Sequence, residues 1–191
     1  MAISAAGQRA DAAFRPSDYD FGMARKRQIV LYPDPVLRRR AKPVERVDDS
    51  IRDLVREMFE IMDEEEGIGL AAPQVGESLR IFVTGPHADG DHPHMTFINP
   101  VLSGFDGELQ THDEGCLSLP GIRGEIRRQP HAVIEALDVE GKPFRMESGD
   151  FIARVWQHEY DHLEGILIID RMTALDRLRV RRAVKELESG G

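Results

Sequence analysis

The sequence predicts an α+β fold, and three observations carry that expectation. A stripe of apolar residues at helical spacing precedes residue 67, strand-like segments gather between residues 80 and 145, and helical periodicity returns from about Asp150. At 191 residues the chain suits one domain with a substantial core. Its 41% hydrophobic and 31% charged residues are ordinary for a soluble globular protein.

Residues 1–25 read as a loosely ordered extension ahead of a single domain over residues 26–191, with Met23 a candidate natural start. The first 22 residues lack a continuous apolar core, so they do not resemble a secretory signal. Asp11, Asp18 and Asp20 argue against an organellar transit peptide, and no apolar run approaches the roughly 18 residues that span a bilayer. A cytoplasmic protein without a membrane anchor is the expectation.

Residues 28–44 (QIVLYPDPVLRRRAKPV) read as a short strand and then a Pro-punctuated loop. Over residues 50–67 the apolar positions Ile51, Leu54, Val55, Met58, Phe59 and Met62 form one helical stripe, with Asp49 or Ser50 as cap and Gly67 as stop. Residues 80–85 and 94–102 have strand character, and His131 to Arg145 reads as a hairpin turning near Glu140-Gly141. A helix follows from about Asp150 to a stop at Gly165. Residues 166–170 (ILIID) read as extended, and residues 173–188 as a closing, polar-faced helix.

The net charge of −9 disfavours general nucleic-acid binding, including specific DNA binding, because phosphate contacts need clustered positive charge. A single cysteine, Cys116, excludes a disulfide within the chain. By residue type it is a buried filler, a nucleophile or a metal ligand.

His158-Glu159-Tyr160-Asp161-His162 matches H-E-x-x-H within the helix that begins near Asp150. Residues four apart on a helix lie about 40° apart around the axis and roughly 6 Å along it, so two imidazoles can share one cation. An exposed helix with polar i,i+4 pairs is the alternative. Phe151, Arg154 and Val155 share the face of His158, and the two apolar residues could wall a pocket. Arg154 is awkward there: it must reach solvent or meet an acidic partner or a substrate carboxylate.

A catalytic zinc-type site usually has three protein ligands and an open position. A third histidine six residues on is absent, since position 168 is Ile168. Glu186 and Glu188 are possible downstream ligands, and Glu114-Gly115-Cys116-Leu117-Ser118 holds the upstream candidate.

Three segments together resemble the peptide deformylase family: Gly67-Ile68-Gly69-Leu70-Ala71-Ala72-Pro73-Gln74, then Glu114-Gly115-Cys116-Leu117-Ser118, then His158-Glu159-Tyr160-Asp161-His162. All three family motifs are intact and in order. The resemblance covers roughly residues 26–188. It implies mixed or antiparallel strands packed around a central metal-binding helix, with one helix in the N-terminal half and one at the C-terminus. It implies that Cys116, His158 and His162 bind one divalent metal, Fe²⁺ in the cell and Zn²⁺ or Ni²⁺ in purified protein. Glu159 would be the general acid/base, and Gln74 with the Leu117 N–H would stabilise the oxyanion; Gly69 belongs with them. Gly67, Ile68, Gly69, Gly115, Phe151 and Val155 would contact the substrate. The implied reaction releases formate from the formylmethionine of new polypeptides, and a narrow site would exclude acetyl groups.

Other readings remain beside it: a zinc endopeptidase or aminopeptidase on the same motif, or a structural metal module or inactive relative. His87, His92 and His94 crowd one loop, read as solvated rather than as a second metal site, and His112 lies near the expected groove. The basic residues Arg177, Arg179, Arg181, Arg182 and Lys185 ordinarily make a solvated face. With the resemblance, weak ribosome contact through them becomes an expectation.

Overall fold

The computed structural model describes residues 27–86 and 93–190. A 3-10 turn at Pro35–Arg38 is followed by α1 (Asp49–Glu64), β1 (Gly69–Ala71), a second 3-10 turn (Ala72–Val75), β2 (Ile81–Thr84) and β3 (Met95–Asp106). Then come β4 (Gln110–Gly115), β5 (Arg123–Arg128), β6 (His131–Leu137) and β7 (Pro143–Ser148). Three helices close the chain: α2 (Phe151–Leu163), α3 (Ile168–Arg171) and α4 (Ala174–Ser189).

The strands make two antiparallel sheets, one of five strands in the order β1-β2-β3-β6-β7 and a ribbon of β4 and β5. Every residue of β2 is buried, because the sheet is covered on both faces. Ile81 and Val83 pack with Leu54, Val55, Met58 and Phe59 of α1. Phe82, between them, points the other way and joins Phe97, Ile134, Val155 and Trp156 around α2. Period-two alternation along one strand thus serves two helices. A third cluster, with Leu119, Ile122, Ile126, Leu167, Ile168 and Met172, fills the space between the ribbon and the C-terminal helices. The α+β expectation holds, with α2 between the sheet and the ribbon.

Several boundaries differ from the sequence reading. No strand forms at residues 28–31. That segment finds no neighbouring strand; Val30 N–H donates to Gln74 O (2.8 Å) and Tyr32 N–H to Ser118 O (3.0 Å) across two loops. Asp48, not Asp49 or Ser50, caps α1, its carboxylate accepting the Ile51 N–H. The helix ends at Glu64, and the left-handed residue is Glu66 (φ 54°) rather than Gly67, whose N–H closes the motif on Met62 O at 2.8 Å. Residues Ile168–Arg171 are a helical turn instead of an extended stretch. The Asp170 carboxylate takes the Leu167 N–H at 2.8 Å, and so short an apolar run carries no decisive period. The Gly165 stop is as expected (φ 73°), with Gly165 N–H to His162 O and Ile166 N–H to Asp161 O.

The ribbon was not anticipated. Its strands read QTHDEG and RGEIRR, and only Ile126 marks the buried face of β5 as apolar. The other two inward positions are Gly124 and Arg128, so hydrophobic alternation is masked. Residues 1–26, which include the expected extension, lie outside the described residues.

Two left-handed residues give opposite predictions. Glu66 is exposed and spends about 1–2 kcal/mol on its backbone conformation. The six buried apolar residues of α1, each worth about 1.5–3 kcal/mol, easily outweigh that strain. Glu66→Gly should therefore raise stability by about 0.5–1 kcal/mol, once the greater freedom of unfolded glycine is subtracted. Asn99 (φ 51°) instead uses its amide on both sides of Val44, accepting from its N–H and donating to its C=O at 2.8 Å each. Asn99→Ala should cost about 2–4 kcal/mol. Urea midpoints of the two variants, moving in opposite directions, check both.

Candidate active site

Helix α2 brings His158 and His162 to one side, their rings 5.1 Å apart. Strand β4 ends at Gly115, and the turn beyond it carries Cys116 to the same point. Cys116 Sγ lies 3.3 Å from His162 Nε2. One ligand atom from each of Cys116, His158 and His162 falls within 4.8 Å of the others, and no second such group occurs among the described residues.

The electrostatics of these donors fit a divalent cation. Burial, with the charges of His158 and Arg128, holds His162 well below its ordinary pKa, so its ring is neutral. Burial also opposes a charged His158, but hydrogen bonds with Cys116 and Glu114 outweigh it and lift that ring to about 10. A cation seated between the three must therefore displace a proton, as metal uptake at thiol and imidazole ligands does. His158 Nδ1 donates to Glu114 Oε2 at 3.0 Å, which leaves Nε2 to face Cys116 and His162.

Glu159 is nearly fully buried, and its Oε2 has no hydrogen-bond partner among the described residues. Burial pushes its carboxyl up to about 7, against the pull of His158 and Arg128. It lies flat against β1: a Cβ placed on Gly69 would come within 2.5 Å of Glu159 Oε1. Glycine is thus required at 69 for close approach rather than for an unusual backbone angle.

Gln74 sits in the 3-10 turn that follows β1 and is buried. Its Oε1 accepts the Ala71 N–H at 2.8 Å, which fixes the amide and turns Nε2 toward Cys116 Sγ (3.5 Å) and Ser118 Oγ (3.4 Å). Among the described residues the Leu117 N–H, one residue past Cys116, has no hydrogen-bond partner.

A cleft of about 530 Å³ opens over these groups. Gly67, Ile68, Gly69, Gly115, Phe151 and Val155 all line it, as do Gln74, Cys116, Leu117, His158 and Glu159. Phe151 is half exposed at the mouth, whereas Val155 is buried. One bank is β1, the edge strand of the five-stranded sheet; the other is β4, paired among the described residues only with β5. Both offer a free strand edge to an extended peptide. His112 is exposed on β4 and does not line the cleft. His94 pairs with Asp63 at 3.0 Å, and His87 and His92 lie outside the described residues.

Arg154 resolves in favour of an acidic partner: it donates to Glu114 Oε1 (2.6 Å) and to the carbonyls of Ile126 and Gln110. Sequence reasoning gave no role to Glu114, Arg128, Asp161 or Ser118, although three of them lie inside quoted motifs. Arg128 carries no motif signal. Only its place on the inward face of β5 would have pointed to it.

Gly69→Ala should push the Glu159 carboxylate off its present position. On the expectation that Glu159 is the general acid/base, the result is a fall in turnover of about 10²-fold, with the denaturation midpoint nearly unchanged. Parallel kinetics and urea melts check this.

The chain matches the polypeptide deformylase family over residues 26–178. It is 42% identical over 179 residues to "Peptide deformylase 1B, chloroplastic" of Oryza sativa, covering 90% of this chain and 66% of that one, just under two thirds of its length. It is 48% identical over 138 residues to the peptide deformylase of Dictyoglomus turgidum, covering 72% of this chain and 87% of that one. Among solved structures, a Plasmodium falciparum peptide deformylase superposes with a TM-score of 0.81 at 41% identity, covering 85% of this chain and 96% of that one. With its three motifs gathered in one cleft, this chain belongs to the polypeptide deformylase family.

Proposed function

We propose that the chain performs the reaction of its family: hydrolysis of the N-formyl group from the N-terminal formylmethionine of new polypeptides. One observation carries the reading. A Cys116, His158 and His162 cluster borders a cleft that also holds a fixed Gln74 amide and Glu159, whose Oε2 has no hydrogen-bond partner among the described residues. A divalent cation held by the cluster would acidify water and polarise the formyl oxygen.

The remaining chemistry falls to the chain's own groups. As water adds to the formyl carbon, Glu159 takes its proton. The same carboxyl then delivers that proton to the departing methionine nitrogen as the C–N bond breaks, giving formate and a free amine. A carboxyl lifted to about 7 by burial can both accept and donate near neutral pH. The Gln74 Nε2–H and the Leu117 N–H would meet the negative charge on the formyl oxygen, each such donor being worth about 10²–10³ in rate. Gly67, Ile68, Gly69 and Gly115 would flank the peptide backbone, and Phe151, Val155 and Ile68 the methionine side chain. A formyl carbon bears only hydrogen, so a site closed down by Gly69 and Glu159 would reject an acetyl methyl group.

One thiol and two imidazoles accept iron, zinc or nickel alike. We assign Fe²⁺ in the cell, with Zn²⁺ or Ni²⁺ in purified protein. The cytoplasm is the compartment we propose; among the described residues no helix is long and apolar enough to cross a membrane. Residues 26–191 would act as one catalytic unit. The outer face of α4 exposes Arg177, Arg179, Arg181, Arg182 and Lys185, which supports weak, salt-sensitive contact with ribosomal RNA. Ribosome co-sedimentation unchanged by deleting residues 174–191 would remove that contact.

Protein prepared without oxygen and supplied with Ni²⁺ should release formate from formyl-Met-Ala-Ser and nothing from the acetylated peptide. Cys116→Ala should abolish release. Glu159→Gln should keep its metal and lose nearly all turnover; near-wild-type activity would assign the proton to another group. No formate from metal-loaded wild type would overturn the proposed reaction.

A further inference from the structure

Arg128 is the most buried arginine in the structure, 5% exposed, and it sits outside the three motifs. It grips two carboxylates at once. Nε and Nη2 donate to the two oxygens of Glu114 at 2.8 and 2.9 Å, and Nη1 donates to Asp161 Oδ2 at 2.8 Å. Glu114 stands two residues before Cys116 on β4 and accepts from His158 Nδ1. Asp161 immediately precedes His162 on α2. The two carboxylates therefore belong to α2, which carries both imidazoles, and to β4, which leads directly into the turn that carries Cys116.

The two imidazoles are supported unequally. His158 has Glu114 behind it, and that carboxylate is held on every side: Oε1 by Arg128 and Arg154, Oε2 by Arg128 and His158. His162 has nothing of the kind, since its buried Nδ1 lacks a partner among the described residues. The position of His162 thus depends on where the last turn of α2 lies. Asp161 ties that turn to β5 through Arg128 and to α3 through Arg171, whose Nη2 lies 2.5 Å from Asp161 Oδ1.

We propose that Arg128 is a positioning residue for the metal centre, bridging Glu114 and Asp161 so that the ligands on α2 and in the turn after β4 stay converged without the cation. The planar fork matters as much as the charge, because a lysine ammonium cannot serve three directed bonds to two carboxylates. Partners standing behind metal ligands typically change metal affinity by about 10–100-fold.

The inference rests on the reading that the Cys116, His158 and His162 cluster holds the cation. The test follows Ni²⁺ release from the loaded full-length protein into excess chelator, with the melting temperature of each metal-free form measured alongside. Arg128→Lys and Asp161→Asn are expected to release Ni²⁺ about 10–100-fold faster than wild type. The double variant should release it no faster than Arg128→Lys, because both remove one bridge. Should Arg128→Lys fail to fold, Asp161→Asn decides alone. Wild-type release rates in the folded variants, with any loss confined to the metal-free melting temperature, would reduce Arg128 to a structural ion pair and overturn the proposal. Additive effects in the double variant would overturn the bridge. Wild type that takes up no Ni²⁺ would instead defeat the reading of the cluster itself.

Discussion

Glu114 accepts hydrogen bonds from Arg128, Arg154 and His158 in a buried setting, and the order of the site descends from that carboxylate. Burial alone would raise its pKa, but the His158 and Arg128 hydrogen bonds and charges prevail and hold it well below the ordinary carboxylate range. It is therefore an anion at any physiological pH, and two of its three partners are permanent cations. Buried ion pairs give little net stability, because desolvation of each charge cancels most of the attraction. Removing one partner is another matter and costs several kcal/mol, since a bare charge is left behind. Such a cluster is poorly justified as a source of stability and well suited to fixing geometry. What it fixes is the orientation of the His158 ring and the distance between β4 and α2.

Around that point the fold supplies rigidity from both sides. The sheet buries Ile81 and Val83 against α1 and Phe82 against α2, so β1 and α2 are held at one separation. Gly69 makes that separation small enough for Glu159 to lie on the strand, and Gln74 is delivered by the turn that β1 runs into. The ribbon closes the other bank and brings Cys116. Glu159 is buried by the same packing that positions it, which is why its carboxyl is lifted to about 7. Proximity, burial and proton affinity are thus one structural fact seen three ways.

The sequence made α1, α2, α4, the β6-β7 hairpin and the grouping of Cys116, His158 and His162 legible. In each helix and strand the apolar period was long enough to read, and in the site the residue types were chemically distinctive. Legibility failed where polar residues face inward. The ribbon was missed because Arg128 and Gly124 occupy buried positions of β5, and Arg128 is one of the residues, with Arg154 and His158, that tie the ribbon to α2. The short turn at Ile168–Arg171 was misread because four residues carry no period, and the end of α1 because Glu66 takes the left-handed place usually given to glycine. Arg154 was the informative misfit: an arginine on the buried side of a helix demanded a carboxylate, and Glu114 supplies it.

The central claim is that one sulfur and two imidazole nitrogens, and not Glu159, bind a single cation. X-ray absorption spectroscopy on Zn²⁺-loaded protein tests it directly. The account predicts one sulfur at about 2.3 Å, two imidazole nitrogens at about 2.0–2.1 Å and one further light-atom ligand. A first shell without sulfur, or one unchanged in Cys116→Ala, would contradict it.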